Sequence, residues 1–142
     1  AASRLAERLG DAGRLDIVLA PDHDLGLSAS LKAGVRTCAE ADSVLVFLSD
    51  MPGIPPVAAE AVAASLVQGA PAAATIAAGR RGHPVGLSRR LFPDVLDLVG
   101  DVGAGRLLDQ LGGAVALTPI EPGALADVDT SDDLDALRRS PP

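Results

Sequence analysis

The run Ser43-Val44-Leu45-Val46-Phe47-Leu48-Ser49-Asp50-Met51-Pro52 decides how the chain reads. Five large apolar residues follow Ser43 without polar alternation, as in a strand covered on both faces by helices, and the expectation is a central parallel strand. Pro52 can neither continue a ladder nor donate a hydrogen bond, so the strand ends on Ser49 and Asp50. In open α/β sheets ligands bind beyond the carboxyl ends of the strands. That position suits Asp50 to hold a hard cation such as Mg²⁺ against a phosphate. An Asp there also serves to turn the chain or to cap the segment from Met51, and position alone leaves both readings open.

Around this run, 142 residues allow one domain, 1–142. Nearly half the residues are apolar, yet there are two Phe and no Trp or Tyr. The core must therefore come from Ala, Val, Leu and Ile, and stacking platforms for single-stranded nucleic acid are lacking. A net charge of −7 argues against a grip on polyphosphate backbones, which needs surplus Lys and Arg. An anionic small ligand would need a metal or a few local cations. The single Cys38 cannot form an intramolecular disulfide, and no apolar run reaches membrane-spanning length. The expectation is a cytoplasmic protein that engages neither nucleic acid nor membrane.

In chain order, Ser3 to Leu9 reads as a short helix with no strand before it, and Arg14 to Ala20 as a short strand. Asp22, His23 and Asp24 have no second ligand cluster and read as a solvated loop. Ser28 or Ser30 can cap a helix over about 31–39. Gly26, Ser28, Ser30 and Lys32 also combine hydroxyls, free N–H groups and a cation, the kit for an anion; an ordinary cap with a surface lysine is the other reading. Pro55-Pro56 opens a helix over 57–68, the crossover of a βαβ unit, into a strand over 72–78. Gly79-Arg80-Arg81-Gly82-His83-Pro84-Val85-Gly86-Leu87 is a basic, glycine-spaced turn, either a ligand loop or a surface hairpin. Ser88 can cap a helix carrying Leu91, Phe92, Val95, Leu96 and Leu98. Gly100 to Gly105 breaks it, with no dinucleotide-binding glycine order, before a short helix over 106–111 and a strand over 114–120. Residues 126–129 read as extended, and Thr130-Ser131-Asp132-Asp133 as a capping box in front of Leu134, Leu137, Arg138 and Arg139.

Five pieces coincide in order: Gly26 to Gly34, Leu48-Ser49-Asp50-Met51-Pro52, Gly82-His83-Pro84-Val85, Gly100-Asp101-Val102-Gly103-Ala104, and Asp127-Val128-Asp129-Thr130-Ser131-Asp132-Asp133-Leu134. Together they resemble the motifs of the molybdenum cofactor cytidylyltransferases, within the MobA-like nucleotidyltransferases. The resemblance implies a three-layer, Rossmann-like α/β fold with a mostly parallel sheet. It also implies an enzyme that transfers CMP from CTP to a phosphorylated pterin cofactor, releases pyrophosphate and uses Mg²⁺. By motif position Asp50 and Asp129 would be catalytic, with Asp50, Asp127 and Asp129 as metal carboxylates. Gly26, Ser28, Ser30 and Lys32 would bind substrate, with Gly82, His83, Pro84 and Asp101 on the acceptor side. A molybdoenzyme or maturation protein would be the partner.

The family's glycine-rich triphosphate loop, Leu-Ala-Ala-Gly-x-Ser-x-Arg-x-Gly after a strand, is not found in the sequence. A βα unit ahead of Ala1 is accordingly expected. Around Gly100 to Gly105 the usual arginine is replaced by Val102 and Gly105, with Arg106 following. Other readings are a guanylyltransferase for a related small phosphorylated acceptor and a non-catalytic nucleotide-binding remnant. A receiver-like signalling domain is discounted because no lysine follows Lys32.

Overall fold

The apolar run opens as β1, Ser43–Val46, in a computed structural model that describes residues 16–133 and residue 135. Three more strands complete the described sheet: β2, Ala72–Ala77, β3, Arg80–Ser88, and β4, Val115–Pro119. The spatial order is β1-β3-β2-β4. β1 and β2 each pair with β3 antiparallel, and β2 pairs with β4 parallel. Thus β1, β2 and β4 point the same way, with β3 inserted against them. The α/β class stands as expected, but the described sheet is mixed rather than mostly parallel.

β1 is also not central among the described residues, since its one neighbour is β3. Its residues are half-buried and Phe47 is 49% exposed. Unbroken apolarity marks a strand that has cover on both faces and says nothing of how many strands flank it. Residues 16–20 form no strand, and Ile17, Val18 and Leu19 are exposed. The expected helix over 3–9, Arg14 and Leu15, and the final helix with Leu134, Leu137, Arg138 and Arg139 lie outside the described residues.

The pleat divides the core. Ala72, Ala74, Val85 and Leu87 face one side, where they meet Val35 of α1 (Leu27–Thr37), Phe92 and Val95 of α3 (Phe92–Leu96), and Leu107 and Leu108 of α4 (Gly105–Leu111). Ala73 faces the other side, against Val62 and Leu66 of α2 (Pro56–Val67). Gly86 shares that side, and a Cβ on it would lie 2.7 Å from Leu66 Cδ1 and 2.9 Å from Val62 Cγ1. Small sheet residues let α2 approach closely, which replaces the bulk that aromatics would supply.

α2 starts as expected on Pro56 and ends at Gly69, where Gly69 N–H donates to Leu66 O at 2.9 Å and Ala70 N–H to Ser65 O at 3.1 Å. This pair is the Schellman arrangement that a left-handed glycine permits. Ser88 caps no helix, because its hydroxyl donates to Pro71 O at 2.8 Å and a 3₁₀ turn, Arg89–Leu91, leads into α3. Arg89 closes the same end of the sheet by donating to Ala41 O at 2.9 Å and to Glu40 O.

Of the two readings of 79–87 the hairpin holds, but most of the stretch is strand β3, buried from Val85 to Leu87 and reached through a two-residue loop. Ala77 pairs with Arg80. Ala78 and Gly79 between them have φ of 47° and 76°, the signature of a type I′ hairpin. Alanine is costly in this conformation, whereas asparagine tolerates it. Ala78→Asn should therefore stabilise the fold by about 0.5–1 kcal/mol. Denaturant unfolding would read this as a raised midpoint with an unchanged slope, and a lowered midpoint would contradict it.

Candidate active site

Because three strands point one way and β3 the other, one end of the sheet gathers the carboxyl ends of β1, β2 and β4 with the amino end of β3. Asp50 stands there, four residues past β1. His83 stands near the start of β3. Past β4, Ile120 N–H donates to Ile76 O at 3.0 Å, and a 3₁₀ turn over Pro122–Leu125 reverses the chain. The returning segment crosses the strand end, where Val128 N–H donates to Asp50 O at 2.8 Å. The Leu125 side chain fills the space that a Cβ on Gly82 would need, so glycine there lets the returning segment seat. Asp50, His83 and Asp127 are thereby brought together from three distant parts of the sequence.

His83 and Pro84 sit in a bulge. Ala74 pairs with Val85 and Thr75 with Gly82, so one step along β2 spans three along β3. A proline has no N–H for a ladder, and inside a flanked strand a bulge is where it fits. The His83-Pro84 bond is cis. Thr75, fully buried, donates its hydroxyl to His83 O at 2.7 Å, which satisfies a carbonyl that the bulge removes from the ladder. β1 also parts from β3 after Val46 and Val85. Residues 47–50 are therefore free to leave the ladder toward the site.

One oxygen of the Asp50 carboxyl, Oδ1, is buried and has no hydrogen-bond partner among the described residues. A buried polar atom of this kind calls for an explanation such as an ion or a water. The His83 imidazole is held below its ordinary value, chiefly by burial, while the charges of Asp50 and Asp127 pull the other way. Among the described residues, no three His, Cys, Asp or Glu side chains are already grouped to hold a metal.

Asp129 is exposed on the returning segment. Its N–H donates to Asp133 Oδ2 at 3.3 Å. Thr130 N–H donates to the same oxygen at 2.8 Å, and Asp133 N–H donates back to Thr130 Oγ1 at 3.2 Å. This is the expected capping box, with Asp in place of Glu. The Thr130 hydroxyl and backbone N–H hold Asp133 below the ordinary carboxylate range.

The other expected group forms a separate assembly. α1 begins at Leu27, earlier than the cap reading of Ser28 or Ser30 allows. Asp101 Oδ1 accepts from Leu27 N–H at 3.2 Å, so a carboxylate from 74 residues away meets the positive helix end. Ser28 is 3% exposed, and its hydroxyl donates to Gly100 O at 2.7 Å. Gly26, at φ 111°, has the Gly100-Asp101 backbone where a side chain would be. Ser30 is exposed, Lys32 half-buried, and among the described residues no hydrogen bond or ion pair joins either of them to the Asp50 group.

Asp22 and Asp24 are exposed beside a 3₁₀ turn whose His23 Nδ1 lies 3.1 Å from Ala20 O, as a solvated loop should be. Arg81 pairs with Asp109 of α4. Thr75 and Val128 were missed by sequence reasoning. A β-branched hydroxyl opposite a His-Pro pair was the available signal for the first.

A family profile described as MobA-like NTP transferase domain matches residues 2–115. The purine catabolism protein PucB of Bacillus subtilis is 32% identical over 133 residues, which cover 89% of this chain and 63% of that protein. Among solved structures, Rv0371c from Mycobacterium tuberculosis H37Rv matches with TM-score 0.65 and 26% identity, over 80% of this chain and 60% of its own. A manganese complex of Rv0371c matches with TM-score 0.62 and 27% identity, over 79% and 61%. Molybdopterin-guanine dinucleotide biosynthesis protein A from Archaeoglobus fulgidus shares the fold, with TM-score 0.64 at 18% identity over 94% of this chain and 72% of its own. The chain thus spans about 63% of the length of the curated relative it matches.

Folding favours the neutral form of His83, so the unfolded chain takes up its proton first as pH falls through 6.5. The stability linked to this group is complete above that value and is lost as pH drops below it. His83→Gln should therefore show a smaller loss of Tm between about pH 7 and pH 5 than the parent protein. Identical slopes in both proteins would contradict the assignment.

Proposed function

This chain belongs to the family of MobA-like NTP transferase domains, and from that premise we propose that it is a divalent-metal-dependent nucleotidyltransferase that moves CMP from CTP onto a phosphorylated molybdopterin-type cofactor. The observation that carries the reading is the Asp50 Oδ1 past the strand end, buried and unpartnered among the described residues, on a residue whose backbone carbonyl is tied to the segment that bears Asp127 and Asp129. A carboxylate oxygen left free in this way fits a hard cation, whose ligands are oxygens. Asp50 would hold Mg²⁺ with Asp127 or Asp129, and the manganese named for the Rv0371c complex is a divalent ion that the same donors suit. The ion would supply charge neutralisation at the phosphates.

The protein's own part is placement. A phosphate oxygen of the acceptor forms a bond to the α-phosphorus of CTP while the bond to the β-phosphate breaks, and pyrophosphate leaves with that electron pair. Such a reaction asks for alignment and charge more than for covalent help from the protein. Asp50 and the returning carboxylates fix where positive charge sits. His83, kept neutral by burial, presents a hydrogen-bonding ring rather than a second cation beside them. Gly82, Pro84 and Asp101 would shape the acceptor side, and Gly26, Ser28, Ser30 and Lys32 the nucleotide side. Among the described residues no helix is long and apolar enough to cross a membrane, which suits a soluble cofactor as substrate.

The Gly-His-Pro-Val turn favours a pterin acceptor, CTP follows from the overall resemblance to the cytidylyltransferases, and a guanylyltransferase for a related small phosphorylated acceptor is the alternative. Pyrophosphate release by the full-length protein with a pterin acceptor and Mg²⁺ decides, with each nucleotide offered separately. CTP should be the better substrate, and Asp50→Asn should bring release to background while melting at a temperature close to that of the parent. Faster release from GTP would favour the alternative, and undiminished turnover in Asp50→Asn would remove Asp50 from the mechanism.

A second measurement concerns the acidity of the site. Two close charges in water interact by about 1 kcal/mol, and by more where solvent screens less, so a triphosphate needs a cation to approach carboxylates. Calorimetric CTP titration should show binding with Mg²⁺, weaker binding with Asp129→Asn, and little binding with chelator. Equal affinity with and without the metal would contradict the two-carboxylate site.

A further inference from the structure

Thr75 donates its hydroxyl to the backbone of His83, not to any of the proposed metal carboxylates. It is fully buried at the one place where the β2-β3 register slips, between Ala74 and Thr75. Every other residue of β2 is matched one-to-one across the hairpin. The residues left over are His83 and Pro84, and among the described residues the only side-chain hydrogen bond reaching them is Thr75 Oγ1 to His83 O, 2.7 Å. Alanine, the residue at five of the six other positions in 72–78, would have packed this strand equally well. A hydroxyl there has a specific acceptor.

We propose that Thr75 is a positioning residue: its hydroxyl holds the His83 carbonyl inward, fixing the two-residue bulge so that the imidazole emerges beside Asp50 and Asp127. The placement rests on the metal-dependent reading of the site given above. Without that bond, the His83 carbonyl must turn to find another donor, and the ring on the same residue turns with it. Pro84 adds no N–H that could take over the hold. The charges of Asp50 and Asp127 both act on the ring, which agrees with its emerging near them.

The chain has two histidines, so the His83 ring resonances can be assigned by comparison with His83→Gln. The experiment follows Mn²⁺-induced broadening of those resonances in the full-length protein and in Thr75→Val, Thr75→Ala and Thr75→Ser. The parent and Thr75→Ser, which keeps the donor, should broaden alike. Thr75→Val should broaden less, and Thr75→Ala, which adds no bulk to the core, should do the same if the valine variant does not fold. In turnover assays the donor-less variants should lose on the order of tenfold in kcat/KM, the scale of a misplaced group, and that loss should vanish in a His83→Ala background.

Broadening that is unchanged in folded Thr75→Val or Thr75→Ala overturns the proposal, as does a kcat/KM loss that persists without His83. A parent protein whose His83 is not broadened at all overturns it too, because the ring would then not lie beside the metal carboxylates. If the broadening pattern is as stated but no nucleotide supports pyrophosphate release, the positioning role stands and the proposed enzyme activity falls.

Discussion

The hydrogen bond from Val128 N–H to Asp50 O, 2.8 Å long, joins the two halves of this molecule where they matter. Asp50 comes from the first described strand, and Val128 from a segment that has already passed through the whole sheet. Their union brings the segment that bears Asp127 and Asp129 to the end of the strand that leads to Asp50. A backbone bond is suited to that task, because it is indifferent to the charge of the side chains it brings together.

The inserted strand β3 makes this union possible. By running against its neighbours it brings its amino end, with His83, to the end where β1, β2 and β4 finish. The Gly82 face then accepts Leu125, and the returning segment lies flat across the strand end. At the opposite end Arg89 and Ser88 tie the sheet to the loops before β1 and β2. One end is thus closed by hydrogen bonds, while the other holds a carboxylate oxygen that is unpaired among the described residues. The second assembly, in which Asp101 meets the start of α1 and Gly100 takes the Ser28 hydroxyl, keeps the glycine loop after α3 fixed to the first described helix.

Much of this was legible in the sequence where a local signal had one physical meaning. Pro56 and Gly69 bounded α2, the apolar run gave β1, and Thr130 with Asp133 formed the capping box. β3 was not legible, for two reasons. Ala78-Gly79 makes a type I′ turn without the Asn-Gly pair that would announce it, and a proline such as Pro84 fits inside a flanked strand only at a bulge, which no local pattern announces. The partner of β1 was equally hidden, because an apolar strand does not specify the direction of its neighbour. Asp50 was legible as a strand-end carboxylate, but the burial of its Oδ1 and the lack of a partner for it among the described residues were not, since both are set by tertiary packing. Ser28 looked like a cap or an anion ligand. Its hydroxyl instead holds the Gly100 carbonyl, a contact no local pattern encodes.

The central claim is that the free oxygen of Asp50 is there for a divalent cation. Anomalous diffraction from crystals of the full-length protein soaked in Mn²⁺ tests it most directly. The account predicts a peak in coordination contact with Asp50 Oδ1, flanked by Asp127 or Asp129, and its absence from crystals of Asp50→Asn. A peak elsewhere, with Asp50 Oδ1 satisfied by a protein hydrogen bond, would contradict it.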